Sequence, residues 1–132
     1  MGQYGNAAVR ATEYYRQGKV QSILEAWHLA ISEFSDSEPS RKKACPKDAY
    51  LGLCEAGLVL GIPAAKHGAP TNNKNGRYAV DAYWILRSEP SLSANKEALW
   101  NGIREPKAEN ENNQIDVVVS LWSKGLLAST EP

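Results

Sequence analysis

The chain has 132 residues, 42% of them apolar, and its 15 Lys and Arg balance 15 Asp and Glu to a net charge of zero. That length specifies a single domain, residues 1–132, which buries about two-thirds of the surface that its unfolded chain exposes. Zero net charge argues against a general nucleic-acid binder, and no apolar run approaches the ~20 residues that cross a bilayer. Met1-Gly2-Gln3-Tyr4-Gly5-Asn6 lacks the charged and apolar regions of a secretion signal, and Asn6 stands where a myristoylation signal has Ser or Thr. A cytoplasmic protein is expected.

Six segments carry helical signals, and no pair of alternating runs is joined by hairpin chemistry, so the chain reads as all-α. The first runs from about Asn6 to Gln17, with Ala7, Ala8, Ala11, Tyr14 and Tyr15 toward a core and Gly18 as its stop. In the second, Ile23, Ala26, Trp27, Ala30, Ile31 and Phe34 fall at helical spacing, and Ser22 with Glu25 forms a capping box. The third is expected from Pro46 to about Leu60, where Gly52 and Gly57 suggest close helix–helix approach. The fourth, Gly76 to Ser88, is apolar almost all round and reads as a central, buried helix. The fifth runs from Asn95 to Arg104. In the sixth, Asn112 to Lys124, Val117-Val118-Val119 favours a strand, but Lys124-Gly125 is a helix stop and no partner strand is evident, so helix wins. Two polar connections remain, the Gly-, Pro- and Asn-rich 61–75, long enough to suggest function, and the acidic 105–111.

Charge is unevenly spread. Residues 41–77 hold seven cations (Arg41, Lys42, Lys43, Lys47, Lys66, Lys74, Arg77) against Asp48 and Glu55, while the rest hold eight cations against thirteen carboxylates. The run Arg41-Lys42-Lys43-Ala44-Cys45-Pro46-Lys47 precedes a helix whose first turn Pro46 is suited to open, so lysines and a thiol crowd an end with unpaired N–H groups and a positive dipole. This outlines an anion site. The same setting favours the Cys45 thiolate, with His67 as the plausible general base and Glu55 as an orienting carboxylate. Glu55 also reads as a structural ion-pair partner of Lys66 or Arg77.

Cys45 and Cys54 lie ~13 Å apart along one helix, too far to bridge, and two thiols without a Cys/His cluster make no zinc site. No metal or cofactor is expected. Gly61-Ile62 resembles the turn of a helix-turn-helix, but Gly68 and Pro70 cut the would-be recognition helix to less than two turns, so sequence-specific DNA binding is not expected.

Three blocks carry a resemblance: Ala44-Cys45-Pro46-Lys47 through Gly57, Asn73-Lys74-Asn75-Gly76-Arg77-Tyr78-Ala79, and Glu111-Asn112-Asn113-Gln114 through Gly125. Together they resemble an uncharacterised bacterial family of small helical proteins, a domain of unknown function. The resemblance implies a bacterial intracellular protein and supplies no activity or catalytic residue. The expected function is a binding or interaction module, its surface formed by Lys42, Lys43, Cys45, Lys47, Lys66, His67, Lys74 and Arg77 and aimed at an anionic ligand or partner. The alternatives are a small enzyme using Cys45 with His67, and a subunit that oligomerises through an aromatic patch.

Overall fold

The computed structural model describes residues 2–104 and 111–129. In chain order they form α1 (Gln3–Arg16), α2 (Ile23–Phe34), the single turn α3 (Glu38–Arg41), α4 (Ala44–Glu55), α5 (Lys74–Ser88), a 3-10 turn (Pro90–Ala94), α6 (Lys96–Asn101) and α7 (Gln114–Ser123). Among the described residues the β-pairing is confined to one isolated antiparallel bridge, Val59 with Leu127. The fold is all-α, and the six segments read from the sequence are its six longer helices. The acidic connection 105–111 lies, apart from Glu111, outside the described residues.

Local side chains set the helix ends. Ser22 Oγ accepts the Glu25 N–H at 3.0 Å, and the Glu25 carboxylate reaches back to the Gln21 N–H at 2.9 Å. Asn73 and Asn95 cap α5 and α6 in the same way, each accepting the N–H three residues on. The third helix departs from its expected bounds at both ends. Lys43, in extended conformation, is its N-cap, so Pro46 sits inside the first turn instead of opening it. Its stop is Gly57 at φ +76°, where the Gly57 N–H bonds to Cys54 O and the Leu58 N–H to Leu53 O, both at 3.0 Å. The expectation of helix to Leu60 read this glycine as an interior residue. Gly18 and Gly125 close α1 and α7 with the same pair of bonds.

One hydrophobic core joins these helices: α1 packs on α2 and α7, α4 on α5, and α7 touches both α4 and α5. Ala7, Ala8 and Ala11 of α1 are fully buried, as are Ile23, Ala26, Trp27 and Ala30 of α2. Trp27 packs on Tyr50 at 5.6 Å between ring centroids, and the Tyr50 hydroxyl meets Thr12 Oγ1 at 2.7 Å. Val117 and Val118 are fully buried on α7, where shelter on every side explains a β-branched run that reads locally as a strand. Helix α5 differs from expectation. It is buried on one side only, with Trp84 48% exposed and Val80 and Ile85 half-buried.

Candidate functional site

Four helices begin near one another. The N-terminus of α1 is held by Asp116 of α7, whose carboxylate accepts Gly2 N–H at 3.0 Å and Gly5 N–H at 2.7 Å. The start of α4 meets the segment leading into α7 where Asn112 Nδ2 donates to Cys45 Sγ at 3.5 Å. The start of α5 is tied to both: Asn73 Nδ2 donates to Asp48 O at 2.9 Å, and Gln114 Nε2 donates to Asn75 Oδ1 at 2.9 Å. Behind these bonds α4 and α5 touch backbone to backbone, since a Cβ on Gly52 would lie 2.4 Å from Gly76 Cα. The close helix–helix approach expected of this helix is there at Gly52, but not at Gly57, which is its positive-φ stop. With their N-termini together, the positive ends of four helix dipoles face one region.

Three of these four N-termini are supplied with acceptors from within the chain. Asp116, only 7% exposed, also takes Ser120 Oγ and Lys96 Nζ, at 3.3 and 3.4 Å. At α5, Asn73 Oδ1 accepts the Gly76 N–H at 3.0 Å, and at α7 Glu111 accepts the Ile115 N–H at 3.1 Å. Asn113, just before α7, holds a left-handed φ of +74°. At α4 the N-cap residue, Lys43, makes no side-chain cap bond, and among the described residues no other side chain takes its place. The residues around that start are the ones the sequence singles out. Lys43 Nζ lies 5.6 Å from the centre of the Tyr4 ring, Cys45 and Lys47 are half-buried, and Lys42 pairs with Glu38 at 2.7 Å on the surface.

Lys47 leaves a mark on its neighbours. The His28 imidazole is pushed below its ordinary value by burial first and by the Lys47 charge second. Asp48 is 8% exposed, and burial raises its carboxyl above the usual range while Lys47 pulls the other way. Lys74 opens α5, and Arg77 one turn on donates to Asn72 Oδ1 at 2.9 Å. Arg77 also lines a shallow groove of about 330 Å³ with Glu55, Asn73 and Asp81.

Lys66 and His67 do not join this cluster. The His67 N–H donates to Glu55 Oε2 at 2.7 Å, the Ala69 N–H to the same oxygen at 3.1 Å, and the His67 ring Nε2 lies 2.8 Å from Pro63 O. Glu55 is the last residue of α4, and Cys45 is ten residues earlier, roughly 15 Å of helix rise away. The sulfur and the ring therefore sit at opposite ends of α4. Glu55, expected as a cation's partner or an orienting carboxylate, organises backbone N–H groups of the 61–75 connection. That connection forms no helix from Ile62 to Asn73.

Sequence reasoning gave no site role to Asp116, Asn112 or Gln114. The stretch from Asn72 to Arg77 reads both as a set of hydrogen-bond donors for an anion and as a turn into a helix cap, and Asn73 is that cap. One signal was available for Asp116, a lone carboxylate between Ile115 and Val117 in a run otherwise fit for the core. A family model spans residues 1–128. The chain belongs to the family of unknown function DUF6979. No curated protein and no solved structure matches it. DUF6979 membership agrees with the uncharacterised family that the three sequence blocks resemble, and two of those blocks, at Cys45 and at Asn112–Gln114, meet at the cluster of helix starts. Among the described residues there is no group of three or more His, Cys, Asp or Glu able to hold a metal, and no helix long and apolar enough to cross a membrane.

Proposed function

We propose that this chain is a non-enzymatic binding module, one domain over residues 1–132, that takes an anionic group at the start of α4. Ala44 and Cys45 would supply backbone N–H donors, with Lys43 and Lys47 as countercharges and Lys74 and Arg77 on the adjoining start of α5. The observation that carries the reading is the gathering of helix N-termini around the start of α4, which no side chain caps among the described residues. Lys66 and His67 are left out of this surface because they belong to the far end of α4. The same separation removes the base from the Cys45 enzyme reading. A small anionic ligand or an acidic group on a protein partner fits the cluster, in the bacterial cytoplasm. Both cysteines are free thiols, in keeping with a reducing compartment.

Phosphate and sulfate test this directly. At ~100 times its dissociation constant a bound anion adds ~2.7 kcal/mol, which raises the melting temperature by several degrees in a domain of this size. Sulfate also stabilises by exclusion from protein surfaces, so a Lys43→Ala, Lys47→Ala double variant is heated in the same buffers. A smaller anion shift in the variant supports the site; equal shifts in both proteins refute it.

A further inference from the structure

A groove of about 390 Å³ runs between α2 and α3, in the volume range of small-molecule sites. His28, Ile31 and Ser32 line it from one face of α2, and Arg41 and Lys42 line it from the end of α3. Ile31, almost wholly buried, closes its base, while the exposed His28 ring makes no hydrogen bond among the described residues.

The cations around this groove are not all matched. Lys42 is paired with Glu38 at 2.7 Å. Arg41 is half-buried and pairs with no carboxylate among the described residues. One bond, from Nη1 to Ser35 O at 3.0 Å, fixes its guanidinium and leaves most of its N–H donors for a ligand. Lys47 reaches the same place from α4, since its charge acts on the His28 ring. It too is half-buried and pairs with no carboxylate among the described residues, and burial pushes its neighbour Asp48 toward the neutral form. Two such cations match the charge of a phosphate monoester, about −1.5 to −2 at neutral pH, better than that of a carboxylate. A guanidinium suits phosphate further, because its parallel N–H donors fit two phosphate oxygens at once. We propose that the groove between α2 and α3 binds the phosphate monoester of a small organic group, with Arg41, Lys47 and His28 on the phosphate and the organic group against Ile31. Lys47 is shared with the reading of the α4 start, but the donors here are side chains of α2, α3 and α4 and not the α4 backbone.

Nuclear magnetic resonance titration of the full chain with phenyl phosphate, benzoate and inorganic phosphate reads both affinity and place. Phenyl phosphate is expected to bind with a dissociation constant of about 1 mM or tighter, at least about threefold tighter than either of the others. Benzoate lacks the second charge, and inorganic phosphate lacks the apolar body. The resonances that move most are those of His28, Ser32 and the Arg41 guanidinium. Arg41→Gln weakens binding at least about tenfold, and His28→Gln, a change at an exposed ring that leaves the fold intact, weakens it about threefold. Four results overturn the proposal: no binding of phenyl phosphate by about 10 mM, another probe binding as tightly, a His28→Gln protein with the parent's affinity, or shifts confined to the starts of α4 and α5. The reading of the α4 start fails on a different result, equal anion shifts in the parent and the Lys43→Ala, Lys47→Ala variant.

Discussion

Gly52→Ala is a sharp test of how α4 and α5 meet. The added methyl would lie 2.4 Å from Gly76 Cα and 3.1 Å from Gly76 C, both backbone atoms that no rotamer change can move aside. Relief requires the helices to part by about 1 Å, which stretches the 2.9 Å bond from Asn73 Nδ2 to Asp48 O beyond hydrogen-bond range. Overpacking costs about 1–3 kcal/mol and the lost bond about 1 kcal/mol, while alanine returns up to ~1 kcal/mol of helix propensity. The net loss of about 1–3 kcal/mol lowers the melting temperature by roughly 4–10 °C. Gly102→Ala is the control. There φ is −78° and the nearest neighbour is the tip of Ile85 at 3.4 Å, so the change stays within about 0.5 kcal/mol. Differential scanning calorimetry of the two variants decides the matter, and a Gly52→Ala protein that melts at or above the parent refutes the backbone contact.

Two further outcomes follow from Asp116 and from the shifted groups Asp48 and His28. Asp116→Ala strips the acceptors from Gly2 and Gly5 N–H and costs about 2–4 kcal/mol in urea unfolding, whereas Lys96→Met, whose ammonium is half exposed, costs under about 1 kcal/mol. Equal losses in the two variants would put the main partner of Asp116 on Lys96 and not on the α1 backbone. Asp48 and His28 predict opposite pH trends. The raised Asp48 carboxyl favours the folded state below the ordinary value of 3.8 and loses that contribution as pH rises through its folded value, so Asp48→Asn gains on the parent toward neutral pH. The lowered His28 contributes above the ordinary 6.5 and loses it as pH falls through its folded value, so His28→Gln gains on the parent in mild acid. Melting temperatures between about pH 4 and 8 read both trends, and parallel curves for parent and variants would contradict them.

Everything that repeats within a turn or two of chain was determined by the sequence itself. The apolar stripe of α2, the Ser22–Glu25 cap, the stops at Gly18 and Gly125 and the all-α class depend on neighbours three and four residues apart, whose geometry one helical turn dictates. The lysines at the start of α4 were legible as a cluster for the same reason, being adjacent in the chain. Tertiary structure alone decided which of those ends face one another. Cys45 meets Asn112 across 67 residues, and Asp116 caps Gly2 across 114, contacts with no local signature. His67 and Lys66 went to the far end of α4 because Glu55 captures their loop by its backbone. Helix α5 reads as wholly apolar but is covered on one side, since only packing determines how many faces of a helix find neighbours, and it is that uncovered side that exposes Trp84.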